Sequence, residues 1–126
     1  MTAMQAAAVF VGGGLGSVAR WAVGEVCARW WPTVPAGTLV VNVVATAVLC
    51  GVGAWAAGEV RMPRGAMLLV TAGFCGGFST FSTFAADTMR LAGEHGWGWA
   101  AANVAVNVVG CLAVGVWAAA AVGRQA

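Results

Sequence analysis

The charged residues of this chain are clumped, and the gaps between them decide what it can fold into. No Lys, Arg, Asp or Glu falls within 1–19, 30–58, 65–86 or 96–123. Each gap meets or exceeds the roughly 18 to 20 residues that span a hydrocarbon core. Only 8% of the residues are charged and 61% are hydrophobic. A soluble domain carries roughly 25% charged residues, so this chain cannot clothe a water-facing surface of its own. The expectation is an all-α integral membrane protein with transmembrane helices over about 3–26, 37–57, 66–89 and 97–122. These spans use almost the whole length, which leaves a single four-helix domain set in a lipid bilayer.

A cleavable signal peptide competes for the first span, but it would want a positive n-region and a shorter apolar stretch. The N-terminal stretch has neither Lys nor Arg before Arg20, and it carries Gly12, Gly13, Gly14 and Gly16, so it is read as mature structure. Proline, glycine and charge gather at the expected turns: Pro32 and Pro35, then Glu59, Arg61, Pro63 and Arg64, then Arg90, Gly93, Glu94, His95 and Gly96. Trp30, Trp31, Trp55, Trp97 and Trp99 fall near span ends, where an aromatic belt places them. Trp21 and Trp117 lie deeper and read as packing residues. The four cysteines show no C-x-x-C spacing, and the lone His95 reads as a loop residue, so neither a disulfide framework nor a metal cluster is indicated.

Arginines divide almost evenly between the two sides of the membrane. Arg61, Arg64 and Arg124 fall on the N-terminal side, against Arg29 and Arg90 on the other. The positive-inside rule needs a clear excess, so two readings stay open: insertion both ways up, or one weakly biased orientation.

Polar residues inside the spans form patterns. Gly12, Gly16 and Arg20 lie four apart on one helix face, where glycines let a neighbour approach closely and shield the arginine. Gly14, Gly16 and Ala19 also fit a loose dinucleotide fingerprint, which a membrane span without a βαβ unit cannot use. Thr38, Asn42 and Thr46 make one polar stripe, and Asn103 and Asn107, continued by Cys111, make another. Such residues serve either as interhelical glue or as the wall of a polar path. The third span carries Gly76 and Gly77 followed by Phe78-Ser79-Thr80-Phe81-Ser82-Thr83-Phe84. Paired glycines tolerate non-helical torsions and hydroxyls can satisfy freed backbone groups, so a break in the third helix at mid-membrane is expected. Phe81 and Phe84 share a face. Their electropositive ring edges suit either core packing or contact with a partly dehydrated small anion.

These residues resemble the Fluc/CrcB family of fluoride channels. The run from Gly76 to Phe84 is similar to the family's G-G-x-T-T-F-S-T-F signature, with Ser79 in place of the first threonine. Gly37-Thr38-Leu39-Val40-Val41-Asn42 matches its G-T-L-x-x-N element, although the following G-S is altered to Ala45-Thr46. The glycines, Arg20 and Trp21 of the first span resemble its G-x-G-x-x-x-R-Y element, with tryptophan for tyrosine. The resemblance implies an antiparallel, dual-topology homodimer with two pores, in which a second copy of the chain is the partner. It implies a fluoride pathway through Phe81, Phe84, Asn42, Ser82 and Thr83, with Arg20 near the vestibule and Thr38 on the same polar stripe. It also implies a structural sodium ion held at the dimer centre by the backbone carbonyls of Gly76 and Ser79. In the fourth span the family often has tyrosine and serine four apart, and Asn103 and Asn107 stand there instead. Asp87 replaces a usual glutamate. The implied activity is passive export of fluoride that enters as the neutral acid, driven by roughly 2.3 kcal/mol per charge for each 100 mV. Neither an enzyme nor an ATP site is implied. Two alternatives are one half of a heterodimeric fluoride channel and a dual-topology multidrug exporter. The exporter would want a buried carboxylate in the first span, which has Arg20 there and Glu25 only at its end.

Overall fold

A computed structural model describes residues 1–58 and 62–123. Four helical segments long and apolar enough to cross a membrane run through them: Ala3–Trp30, Ala36–Ala56, Arg64–His95 and Trp97–Gly123. They form helices α1 (Ala3–Trp30), α2 (Ala36–Ala56), α3 (Arg64–Leu68), a π-helical segment (Leu69–Cys75), α4 (Gly76–Phe78), α5 (Phe81–His95) and α6 (Trp97–Gly123). Arg61 and Arg124, two of the arginines used in the charge count, lie outside the described residues.

Helix α1 starts at a capping box: Thr2 Oγ1 accepts from Gln5 N, and Gln5 Oε1 accepts from Thr2 N. That satisfies two otherwise orphaned donors. The helix continues to Trp30, beyond the expected end at 26, and takes Glu25 and Arg29 into its last turns. The third connection is far shorter than the charges suggested. Arg90, Glu94 and His95 are helical, and the chain turns at Gly96, whose φ of 92° suits glycine alone among common residues. Arg90 binds Glu94 one turn on at 2.9 Å, an i,i+4 pair that supports a helix leaving the apolar layer.

Two helix pairs build the bundle. Helix α2 packs along α6, and α1 packs along the π-helical segment and α4. The second contact is made by glycines. A Cβ on Gly12 would strike the carbonyl of Leu69, one on Gly16 the carbonyl of Phe74, and one on Gly77 the carbonyl of Gly13. Gly12 and Gly73 meet backbone to backbone, with Gly12 Cα 3.0 Å from the position of a Gly73 Cβ. This is the close approach expected of the first-span glycines, and it lets helices associate in lipid through dispersion. Gly76 and Gly77 do not supply unusual torsions. Gly76 is helical at φ −63°, ψ −38°, and the residues that leave the helix are Ser79 and Thr80.

Val41, Ala45, Cys75 and Phe78 form the small core, with Ala19, Val23, Val48 and Phe74 against it. Most large apolar side chains face outward, Phe10 and Trp117 among them, as a lipid-facing surface requires. Trp21 is also exposed, so neither deep tryptophan packs inside the chain.

Candidate functional site

The backbone changes direction at two residues. Ser79 has φ −74°, ψ 160° and Thr80 has φ −156°, ψ 116°, both extended, between α4 and α5. Thr80 then caps α5: its Oγ1 accepts from Thr83 N at 3.3 Å, the preferred role for threonine at that position. Ser79 N and Ser79 Oγ both donate to the carbonyl of Cys75, each at 2.9 Å.

Asn42 of α2 serves the peptide groups of Thr80, which is buried. Its Oδ1 accepts from Thr80 N at 2.9 Å, and its Nδ2 donates to Thr80 O at 3.4 Å. One primary amide thus stands in for the helical partners that Thr80 lacks, which a membrane-embedded peptide unit needs. Nδ2 of Asn42 also reaches Asn107 Oδ1 at 3.4 Å. Asn107 donates to the Oδ1 and backbone oxygen of Asn103 at 3.2 and 3.1 Å. Asn103 donates to Thr88 Oγ1 at 2.8 Å, and Thr88 donates to Phe84 O at 2.8 Å. Thr46, the last member of the α2 stripe, spends its hydroxyl on the carbonyl of Asn42 one turn back.

A cavity of about 260 Å³ opens beside this network, lined by Asn42, Thr46, Ser79, Thr80, Phe81, Phe84, Asn107, Val108 and Cys111. The rings of Phe81 and Phe84 face each other at 5.6 Å between centroids and 54° between planes. Phe81 is 79% exposed, an unusual position for a phenyl ring that packs inside its own chain. On the other side of Thr80 lies a second cavity of about 330 Å³, lined among others by Ser17, Arg20, Glu25, Thr38 and Thr83. Beyond it Thr38, Thr83, Asp87 and Arg90 share a third, of about 230 Å³. Thr38 Oγ1 donates to Asp87 Oδ2 at 2.7 Å, while Arg90 stands 3.9 Å from Asp87 Oδ1.

The residues singled out from the sequence therefore divide. Asn42, Ser79, Phe81, Phe84 and Asn107 share the first cavity. Arg20, Thr38 and Thr83 gather in the second, with Thr80 as the common wall. Ser82 is exposed, and its side chain meets Thr80 Oγ1 at 3.4 Å. Asn103 faces a separate apolar groove with Leu39, Leu91 and Trp99. Gly76 is exposed on the outer surface. Two members went unread in the sequence, Thr80 and Thr88. Thr80 follows a Gly-Gly-Phe-Ser run and precedes a helix, which is an N-cap signal; Thr88 sits four residues after Phe84, in reach of its carbonyl.

The carbonyls of Gly76 and Ser79 are suited to a monovalent cation. In a continuous helix they would accept from Thr80 N and Thr83 N, but those donors go to Asn42 Oδ1 and Thr80 Oγ1. Both oxygens are left without their helical partners, the condition under which unwound membrane helices coordinate sodium.

Comparison with known proteins identifies relatives along most of the chain. The profile of the family described as CrcB-like protein, Camphor Resistance (CrcB), matches residues 7–120. The chain is 43% identical over 108 residues to a protein of Escherichia coli (strain K12) named fluoride-specific ion channel FluC, covering 85% of this chain and 84% of that one. It is 44% identical over 108 residues to a protein of the same name from Enterobacter sp. (strain 638), with the same coverage.

Proposed function

The chain belongs to the CrcB family of fluoride-specific ion channels, and from that premise we propose that it carries fluoride passively out of the cell through pores shared with an antiparallel second copy. It is a multi-pass protein of the plasma membrane and a channel rather than an enzyme. The observation that carries the proposal is the first cavity. There Phe81, Phe84 and Asn42 converge beside a backbone that has left the helix.

In this reading fluoride loses most of its water and meets ring edges, an amide and hydroxyls in its place. Ring edges carry the positive end of the aromatic quadrupole, and Asn42 Nδ2 supplies hydrogens whose present partners are distant at 3.4 Å. Arg20 gives the second cavity a cation that draws anions towards the polar side chains, with Thr38, Ser82 and Thr83 as hydroxyl stations between. Export needs no energy-coupling site, because an inside-negative potential drives an anion outward by roughly 2.3 kcal/mol per 100 mV.

The second copy would complete the site. Phe81 and Gly76 are exposed, and a partner inserted the other way up would cover both. Two breaks facing each other would bring four free carbonyls together, from Gly76 and Ser79 of each chain. A sodium ion held there would supply a fixed positive charge that binds the two copies. Glu25 stands near the C-terminal end of α1, whereas a proton-coupled exporter would want a carboxylate buried within that span.

Fluoride efflux from liposomes holding only this purified chain tests the reading. Rapid efflux that excludes chloride is expected. A folded dimer in sodium buffer that passes no fluoride would sink the homodimeric channel, and restored flux with a paralogous chain would make it half of a heterodimer.

A further inference from the structure

We infer that Asn103 and Asn107 are positioning residues that act on the anion path through Asn42, not fluoride ligands in their own right. The inference rests on the fluoride-channel reading above. It follows from the polarity of a hydrogen-bond chain whose two ends are fixed by backbone groups.

One end is Thr80 N–H, which can only donate; the other is the carbonyl of Phe84, which can only accept. Between them lie three amides and a hydroxyl. Thr80 N–H obliges Asn42 to turn its Oδ1 towards it, which leaves Nδ2 with one hydrogen for Thr80 O and one for α6. Nδ2 can then be met only by an acceptor, so Asn107 presents Oδ1 to it. The hydrogens of Asn107 face away and bond Asn103 O and Oδ1. Asn103 passes a hydrogen to Thr88, and Thr88 passes one to Phe84 O. Every step runs the same way, from the extended backbone at Thr80 to the carbonyl behind the second phenylalanine.

This direction assigns the roles. Asn107 is 4% exposed; its donors are engaged at 3.1 and 3.2 Å, and its free lone pairs would repel an anion. Asn103 lies outside the cavity, in the apolar groove. Only the amide of Asn42 carries hydrogens held at 3.4 Å, beyond the usual 2.7–3.2 Å for N–H···O, and these a small anion in the cavity can take over. Asn107 Oδ1 holds that amide in place until the anion arrives. Because the relay ends on Phe84 O, it also ties the Asn42 amide to the turn that carries the second ring.

A double-mutant cycle decides between positioning and direct contact, with Asn42→Ser, Asn107→Leu and the pair in the full chain in liposomes. N107L should slow fluoride efflux at least about tenfold, equivalent to roughly 1.4 kcal/mol. Added to N42S it should slow efflux less than about threefold more, since a residue acting through Asn42 has nothing further to lose. Losses that multiply would overturn the inference, as would N107L with wild-type flux. Asn107→Ser, small and able both to accept and to donate, should keep most of the flux if N107L fails to fold. Amide exchange at Thr80 provides a readout that needs no fluoride transport. N107L should speed it at least about tenfold, and unchanged exchange would overturn the relay. A wild-type chain without efflux would fail the channel reading alone, and the Thr80 exchange would still decide the relay.

Discussion

Thr38 and Asp87, 49 positions apart, share the shortest cross-helix hydrogen bond described in the chain, 2.7 Å from Oγ1 to Oδ2. It ties the start of α2 to the middle of α5, at the far end of the cavities from Asn42. Arg90 sits at 3.9 Å, more than a third exposed, so the hydroxyl is the closer support for this carboxylate. Thr38→Val keeps the shape and deletes the donor. It should destabilise the folded chain by about 1–3 kcal/mol, the cost of leaving a half-buried acceptor unmet. Thr38→Ser should cost less than half as much. Thermal unfolding in detergent, followed by helix content, measures both.

The glycine contact between α1 and the third segment makes a second contrast. Gly16→Ala drives a methyl group into the carbonyl of Phe74, backbone against backbone, with no side chain able to move aside. A loss of about 1–3 kcal/mol is expected, as for other overpacked interiors. Gly14→Ala, two residues away, meets nothing within 4 Å. It should stabilise by about 0.5–1 kcal/mol, because alanine loses less freedom than glycine in a helix. Equal effects at the two positions would mean that the helices do not pack through this face.

How far the sequence could be read depends on which physical signal each feature leaves. The four spans are legible because charge in a bilayer is costly and the gaps between charges are therefore counted in span lengths. Gly12 and Gly16 are legible as a packing face because spacing by four fixes a helix side. The third turn is not, since Arg90, Glu94 and His95 look like loop residues while an i,i+4 ion pair keeps them helical up to Gly96. The departure from the helix also falls three residues later than the paired glycines suggest. Gly77 is needed against Gly13, and the extended torsions belong to Ser79 and Thr80, with Asn42 bonding the peptide groups of Thr80. The aligned asparagines announce a polar seam. Their direction depends on Thr80 N–H and Phe84 O, and no spacing rule reveals which amide end meets which neighbour.

The phenylalanine pair offers a test of contact against packing. If Phe81 and Phe84 line the anion path, Phe81→Ile and Phe84→Ile should each cut fluoride efflux at least about a hundredfold, near 2.7 kcal/mol of barrier. Phe81 is 79% exposed in the single chain, so F81I should leave monomer folding unchanged. Liposome efflux with a fluoride electrode, beside helix content of the same sample, separates the two effects. Retained flux in both variants would return the rings to a packing role.

The freed carbonyls of Gly76 and Ser79 lead to a prediction that side-chain chemistry alone would not make. Because the oxygens belong to the backbone, Ser79→Ala removes the hydroxyl and keeps the carbonyl proposed to hold sodium. Its hydroxyl is already spent on the carbonyl of Cys75, so S79A should keep wild-type flux to within about threefold, under roughly 0.7 kcal/mol. Removing the ion is a different matter. In the proposed dimer, four carbonyl dipoles converging without a cation would repel one another, in a medium too poor in water to screen them. Replacing sodium with a large organic cation should therefore weaken the dimer and slow efflux, in wild type and S79A alike, and sodium added back should restore both. Dimer fraction by cross-linking, read beside efflux across a sodium titration, measures it. An S79A protein that loses flux at saturating sodium would assign the serine side chain, rather than its peptide oxygen, to the site.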